Sequence, residues 1–200
     1  GLALCIQTFT KPGDGIVIFT PVYHVFSQLI ASNGRRTVES PLVNRNGQYE
    51  MDLEHLEANL TGSERMLILC SPHNPGGRVW SVDELVKLRS FCERHGLFLV
   101  ADEIHHDLVY PGFHHTVSAL AEGGSPSRIV VLTAATKTFN IAACQTGNLI
   151  APDPRVRDKL KNGLKASDRT PNAFAVRMTE AAYRFGDTWL TELIAYLHGN

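Results

Sequence analysis

Four side chains with the chemistry of a covalent catalytic site each follow a short apolar run of the sequence. Tyr23 and Asn74 follow two such runs, and Asp102 and Lys137 follow two more. A lysine whose ammonium group loses its proton in a dry cleft condenses with an aldehyde to form a Schiff base. An aspartate that faces a pyridine nitrogen keeps this nitrogen protonated, so that the ring accepts the electron pair released when an amino acid loses its α-proton. Asn74 can donate a hydrogen bond to a phenolic oxygen, and Tyr23 can stack on an aromatic ring.

The apolar runs before these residues have the length and composition of buried strands. They occupy residues 15–19, 66–70, 97–101 and 129–132, and they lack the alternation of a strand with one solvated face. Weaker strands are expected at residues 36–38 and 148–151, and helices at residues 22–31, 52–59, 81–95, 154–165 and beyond Thr170. This rhythm predicts an α/β fold with a mainly parallel sheet and helices on both faces. Because ligands bind beyond the carboxyl ends of parallel strands, we expect the four side chains at one edge of the sheet.

The helix predicted over residues 81–95 has the clearest local signals. Ser81 and Glu84 have the spacing of a capping box, in which each side chain bonds to the backbone N–H of the other residue. Gly96 directly follows and is typical of the position after a helix end.

The four roles together are those that pyridoxal phosphate (PLP) requires from its protein. Three motifs carry them in this order: Asn74-Pro-Gly-Gly77, Asp102-Glu-Ile-His105 and Thr136-Lys-Thr-Phe-Asn140. The set resembles the large domain of the fold-type-I PLP enzymes, within the class I/II aminotransferase superfamily. The motif Asp-Glu-Ile-His, in place of the common Asp-Glu-Val-Tyr, and the run Lys-Thr-Phe-Asn-Ile-Ala are similar to the cystathionine β-lyase branch. The resemblance covers essentially the whole chain of 200 residues.

The resemblance implies a role for each of the four side chains. Lys137 is the Schiff-base residue and the general acid and base, and Asp102 is the partner of the pyridinium nitrogen. Asn74 donates to the phenolic oxygen of the cofactor, and the ring of Tyr23 stacks on the cofactor.

The remaining cofactor contacts show departures from the family pattern. His105 and Thr136 are expected to bind the cofactor, with His105 in a place where the family often has tyrosine. Ala134 stands where a phosphate-binding serine is common, and Gly76 replaces the usual threonine of Asn-Pro-Thr-Gly. Thr133 or Thr136 can substitute for the missing phosphate contacts.

The resemblance also implies a domain organisation. Residues 1–200 are expected to be a PLP-binding large domain that is incomplete, with an N-terminal segment and a C-terminal small domain outside the chain. The phosphate-binding loop and the arginine that binds the substrate carboxylate then also lie outside it. Enzymes of this family typically build the active site at a homodimer interface, so a homodimer is expected.

Three functions are compatible with these residues. The first is a PLP-dependent carbon–sulfur β-lyase that acts on cystathionine or a related cysteine thioether by β-elimination. The second is an aminotransferase, which the sequence separates from the first only through His105 and the local resemblance. The third is a degenerate homologue that binds or regulates without catalysis, as Ala134 and Gly76 indicate. Retention of both Lys137 and Asp102 argues against this third function, because a binding module needs no electron sink.

A metal site is a further alternative, because ligand-type residues cluster in one segment of the sequence. The cluster consists of Asp102, His105, His106, Asp107, His114 and His115. Neighbouring residues point in different directions on a helix or strand, so each adjacent pair offers one ligand at best. No metal is therefore expected, and His106, His114 and His115 are predicted to lie on the surface or in loops.

The composition excludes several other classes. The net charge is −1 and the basic residues are scattered, so neither nucleic acid nor an anionic membrane is an expected partner. The longest apolar runs are far shorter than the roughly 20 residues that span a bilayer. The four cysteines are far apart in sequence without a C-x-x-C pair, which favours the reducing cytoplasm, and Cys70 and Cys92 are expected to be buried.

Overall fold

The computed structural model describes residues 1–168 and 170–200, and its elements alternate between strands and helices. The strands are β1 (Gly15–Thr20), β2 (Arg36–Pro41), β3 (Val43–Arg45), β4 (Gln48–Glu50), β5 (Glu64–Cys70), β6 (Phe98–Asp102), β7 (Ile129–Thr133) and β8 (Asn148–Ile150). The α-helices are α1 (Leu2–Phe9), α2 (Val25–Ser32), α3 (Leu53–Asn59), α4 (Val82–Arg94), α5 (Ala135–Thr138), α6 (Pro154–Ala166), α7 (Ala173–Phe185) and α8 (Asp187–His198).

Six strands form one sheet in the order β2-β1-β5-β6-β7-β8. All neighbouring strands are parallel except β7 and β8, which are antiparallel. The predicted mainly parallel sheet is confirmed. The four central strands end at the same edge of the sheet, since the register pairs Cys70 with Asp102 and Asp102 with Leu132.

The sheet is buried on both faces by helices. On one face, Ile16, Ile68 and Val100 pack in a core with Phe26 of α2 and Leu160 of α6. On the other face, alternate residues of the same strands pack in a second core with α4; they include Val17, Leu67, Leu69 and Leu99. Burial on both faces explains why the strand sequences are continuously apolar. This three-layer arrangement confirms the predicted helices on both faces.

The ends of α4 follow the local sequence signals. The Ser81 hydroxyl accepts from the backbone N–H of Glu84, and the Glu84 carboxylate accepts from the backbone N–H of Ser81. Gly96 follows the helix with φ of +64°, in the left-handed region that favours glycine. The predicted capping box and helix end are therefore confirmed.

The antiparallel hairpin of β3 and β4 was not predicted. Asn46 and Gly47 connect its strands with φ of +53° and +86°. Asn-Gly between two short strands is the strongest local signal of a hairpin, because both residues tolerate positive φ. The signal is present in the sequence, but the flanking strands have three residues each and lack an apolar pattern.

The two C-terminal helices carry several large apolar side chains that are exposed. Ala175 is buried, whereas Met178 and Tyr183 are exposed. Phe174 and Phe185 are 82% and 77% exposed, and Trp189, Tyr196 and Leu197 are also exposed. Among the described helices, none is long and apolar enough to cross a membrane.

Candidate active site

The segments that follow β1 and β5 are joined directly to each other. The backbone N–H of Tyr23 donates to the carbonyl oxygen of Asn74 at 3.0 Å. The Nε2 atom of His73, a buried residue, lies 2.8 Å from the carbonyl oxygen of Pro21. Burial lowers the pKa of His73, which keeps its imidazole neutral at pH 7. The segment that carries the Asn74 motif is therefore fixed next to the segment that carries Tyr23.

Asp102 is the last residue of β6 and is 8% exposed. Among the described residues, its buried Oδ1 atom has no hydrogen-bond partner. Burial raises the pKa of Asp102 to about 6, while a backbone hydrogen bond from Ile104 and the Lys137 ammonium act in the opposite direction. A buried carboxylate oxygen without a partner is costly, so this atom is prepared to accept a hydrogen bond from a charged donor.

Lys137 lies on α5, which begins two residues after the end of β7. Its side chain is exposed, and its charge reaches both Asp102 and His105. His105 is half-buried in the turn after β6, and burial together with the Lys137 ammonium lowers its pKa. The structure thus brings the predicted lysine, aspartate and histidine into one electrostatic neighbourhood.

The other predicted cofactor-binding residues, which are Asn74, Tyr23 and Thr136, differ in their exposure and contacts. Asn74 is half-buried, and its backbone N–H donates to the Sγ atom of Cys70, whose register partner is Asp102. Tyr23 is 39% exposed and contacts Phe26 edge to face, which leaves ring surface accessible. Thr136 is half-buried on α5 directly before Lys137.

The two departures from the family pattern have different structural settings. A Cβ atom at Gly76 would lie 2.9 Å from the rings of both His73 and Tyr49, the latter on β4. Packing therefore requires glycine at this position. Ala134 is buried at the N-cap of α5 without a side-chain cap, and the Thr133 hydroxyl already accepts from Asn148.

A buried polar cluster behind the site was not recognised in the sequence. Glu103 is fully buried, and its carboxylate accepts from the backbone N–H of Ser118 at 2.8 Å and pairs with His115 at 2.9 Å. His115 lies in a loop, which is one of the two predicted settings, and its side chain is only 8% exposed. One signal was available, because adjacent carboxylates at the end of a buried strand point to opposite faces and need separate partners.

The other histidines of this segment are also placed by the structure. His106 is half-buried in the turn after β6, and His114 is exposed. Within residues 1–168 and 170–200, no group of three or more histidine, cysteine, aspartate or glutamate side chains is arranged to hold a metal ion.

The parallel sheet, the helices on both faces and the site at the carboxyl edge are the architecture of the large domain of fold-type-I PLP enzymes. The chain belongs to the aminotransferase class I and II family, whose family model matches residues 1–191.

Three relatives illustrate this membership. Cystathionine β-lyase PatB of Bacillus subtilis (strain 168) is 42% identical over 201 residues, which cover 100% of this chain and 52% of PatB. The crystal structure of cystalysin from Treponema denticola, which contains a PLP cofactor, has a TM-score of 0.91 and is 34% identical. The match covers 97% of this chain and 50% of the cystalysin chain. The PLP-bound carbon–sulfur lyase of Staphylococcus hominis, in complex with L-cycloserine, has a TM-score of 0.92 and is 32% identical. The match covers 100% of this chain and 51% of the lyase chain. The chain thus spans about half the length of these relatives.

Proposed function

We propose that residues 1–200 form the PLP-binding domain of a carbon–sulfur β-lyase that acts on cystathionine or a related cysteine thioether. The observation that carries the proposal is the buried Oδ1 atom of Asp102, which has no partner among the described residues. A protonated pyridine nitrogen is a donor that fits this atom, since charge-assisted bonds are strong in buried surroundings. The names of the PatB and Staphylococcus hominis relatives support the reaction.

The side chains around Asp102 have complementary roles in this proposal. When bound, PLP supplies an electron sink for the pair released at the α-carbon of an amino acid. Lys137 would hold the cofactor aldehyde, and its amine, once released, would accept the α-proton of the substrate. Asp102 would keep the proton on the ring nitrogen, while burial and the Lys137 ammonium lower the pKa of His105. The overall reaction would cleave the bond between the β-carbon and sulfur and, with one water, give a thiol, pyruvate and ammonia.

Further residues bind the cofactor in this proposal. The Asn74 amide donates to the phenolic oxygen, and the accessible ring of Tyr23 stacks on the pyridine. Thr133 and Thr136 are the candidates for a phosphate contact, because Ala134 has no hydroxyl and the Thr133 hydroxyl, which accepts from Asn148, can still donate.

The reaction is tested by the products that form from cystathionine. We expect the PLP-loaded protein to release pyruvate, ammonia and a thiol without any added keto acid. Pyruvate is measured with a coupled dehydrogenase, and the thiol with a chromogenic reagent. Product that forms only when a keto acid is added would instead identify an aminotransferase. PLP binding without either product would identify a binding homologue.

We also propose that the protein acts as a homodimer in the cytoplasm. Membership of the family supports the dimer, because enzymes of this family typically build the active site at a homodimer interface. The four free cysteines support a reducing compartment. Light scattering at micromolar concentration is expected to give twice the mass of one chain, and cell fractionation is expected to place the protein in the cytosol. A monomer, or a secreted protein, would contradict the respective proposal.

A further inference from the structure

The turn that carries Lys137 is too short to maintain its own geometry. Helix α5 contains only the four residues Ala135–Thr138, and an isolated helix of one turn is unstable in water. Its position must therefore come from tertiary contacts. Thr138 directly follows Lys137 and is fully buried, and its hydroxyl donates to the Oδ2 atom of Asp107 at 2.8 Å.

Asp107 is itself held by the segment that follows β6. Its Oδ1 atom lies 3.2 Å from Nε2 of His106, and Nδ1 of the same ring lies 2.8 Å from the carbonyl oxygen of Glu103. The buried carboxylate of Glu103 is fixed in turn by its bonds to Ser118 and His115. A continuous series of polar contacts therefore links the end of β6, where Asp102 lies, to the turn of Lys137.

We propose that Asp107 is a positioning residue that acts through Thr138 to hold Lys137 at a fixed position relative to Asp102. The inference rests on the proposed function, because Lys137 is the group to be positioned. A hydrogen bond to a carboxylate is roughly twice as strong as one between neutral groups, so this contact can orient a turn that has little stability of its own. A displacement of about 1 Å at a reacting group can reduce a rate by about 10²-fold.

A second contact keeps the segment folded when the polar bond is removed. The ring of Phe139 packs edge to face on Tyr183 and lies 5.6 Å from the ring of Trp189. This apolar anchor joins the residue after Thr138 to α7 and α8. Removal of the Thr138 hydroxyl is therefore expected to displace the turn without unfolding the protein.

The experiment compares Thr138→Val, Thr138→Ser and Asp107→Ala in the PLP-loaded protein. Valine keeps the shape of threonine but removes the donor, and serine restores the hydroxyl. Borohydride fixes the cofactor on the lysine to which it is bonded, so peptide mapping measures occupancy of Lys137 without any turnover. The pH dependence of the visible cofactor absorbance gives a second readout of the surroundings of Lys137. Thr191→Val is the matched control, because its exposed hydroxyl bonds to a backbone carbonyl within α8.

For Thr138→Val and Asp107→Ala we expect several-fold slower trapping on Lys137, a shifted absorbance profile and a kcat loss of about 10-fold to 10²-fold. Thr138→Ser and Thr191→Val are expected to match the wild type within about threefold. The variant that combines Thr138→Val with Asp107→Ala is expected to be no worse than either single variant, because both changes remove the same contact. If the Thr138→Val variant and the Asp107 variant both show the trapping and absorbance of the wild type, the positioning role is overturned. The proposed function is then unaffected. Failure of the wild type to trap PLP on Lys137 would overturn the proposed function and this inference together.

Discussion

Replacement of Lys137 with alanine is expected to abolish covalent retention of PLP and to lower kcat by at least about 10⁴-fold. The magnitude follows because one side chain supplies both the nucleophile and the general base, and each role is worth several orders of magnitude. The measurements are pyruvate release from cystathionine and mass mapping after borohydride reduction. The wild-type protein is expected to carry the label on Lys137 alone.

Lys161→Ala is the control for this prediction, since its side chain is 73% exposed on α6 and pairs only with the neighbouring Asp158 among the described residues. It is expected to retain wild-type activity. Label on Lys87, Lys159 or Lys161 in the wild-type protein would show that another lysine holds the cofactor.

Replacement of Asp102 with asparagine is expected to reduce kcat by about 10²-fold or more without reducing the stability of the cofactor-free protein. The amide keeps the shape of the carboxyl group but cannot stabilise the charge of a pyridinium ring. Burial raises the pKa of Asp102 from 3.8 to about 6. The ionised carboxylate therefore destabilises the folded state by about 3 kcal/mol above pH 6. Asparagine removes this cost.

The sign of the pH dependence follows from the raised pKa. The cost is absent below pH 3.8, develops between pH 3.8 and about 6, and is fully present at higher pH. As the pH rises from 5 to 8, the free energy of unfolding of the variant, measured by urea denaturation, is therefore expected to increase by about 1 kcal/mol relative to that of the wild type. A variant that loses stability at pH 8, or that keeps full activity, would contradict this assignment of Asp102.

The parts of the fold that were predicted correctly depend on local patterns. Buried strands appear as continuous apolar runs, and the bonds between Ser81 and Glu84 join residues of one helical turn. The order of the motifs placed Asp102 and Lys137 at one edge, because parallel strands with helical connections leave their carboxyl ends on the same side.

The parts that were missed depend on residues that are distant in sequence. The partner of Glu103 is His115, and the path of the loop between them decides whether this histidine is buried. The contact of Thr138 with Asp107 joins two segments whose distance is set by the pairing of β6 with β7. No periodicity or motif encodes such distances, so only the folded structure shows them.

The hairpin of β3 and β4 restricts which side chains the motif Asn74-Pro-Gly-Gly77 can accept at position 76. The ring of Tyr49 occupies the space that a β-carbon at position 76 would need, although α3 and β5 separate the two positions along the chain. The threonine that is usual in the Asn-Pro-Thr-Gly motif therefore requires a smaller side chain at position 49 and a shift of the His73 ring. We therefore expect the two positions to be coupled, so that threonine at position 76 is tolerated only together with a smaller side chain at position 49.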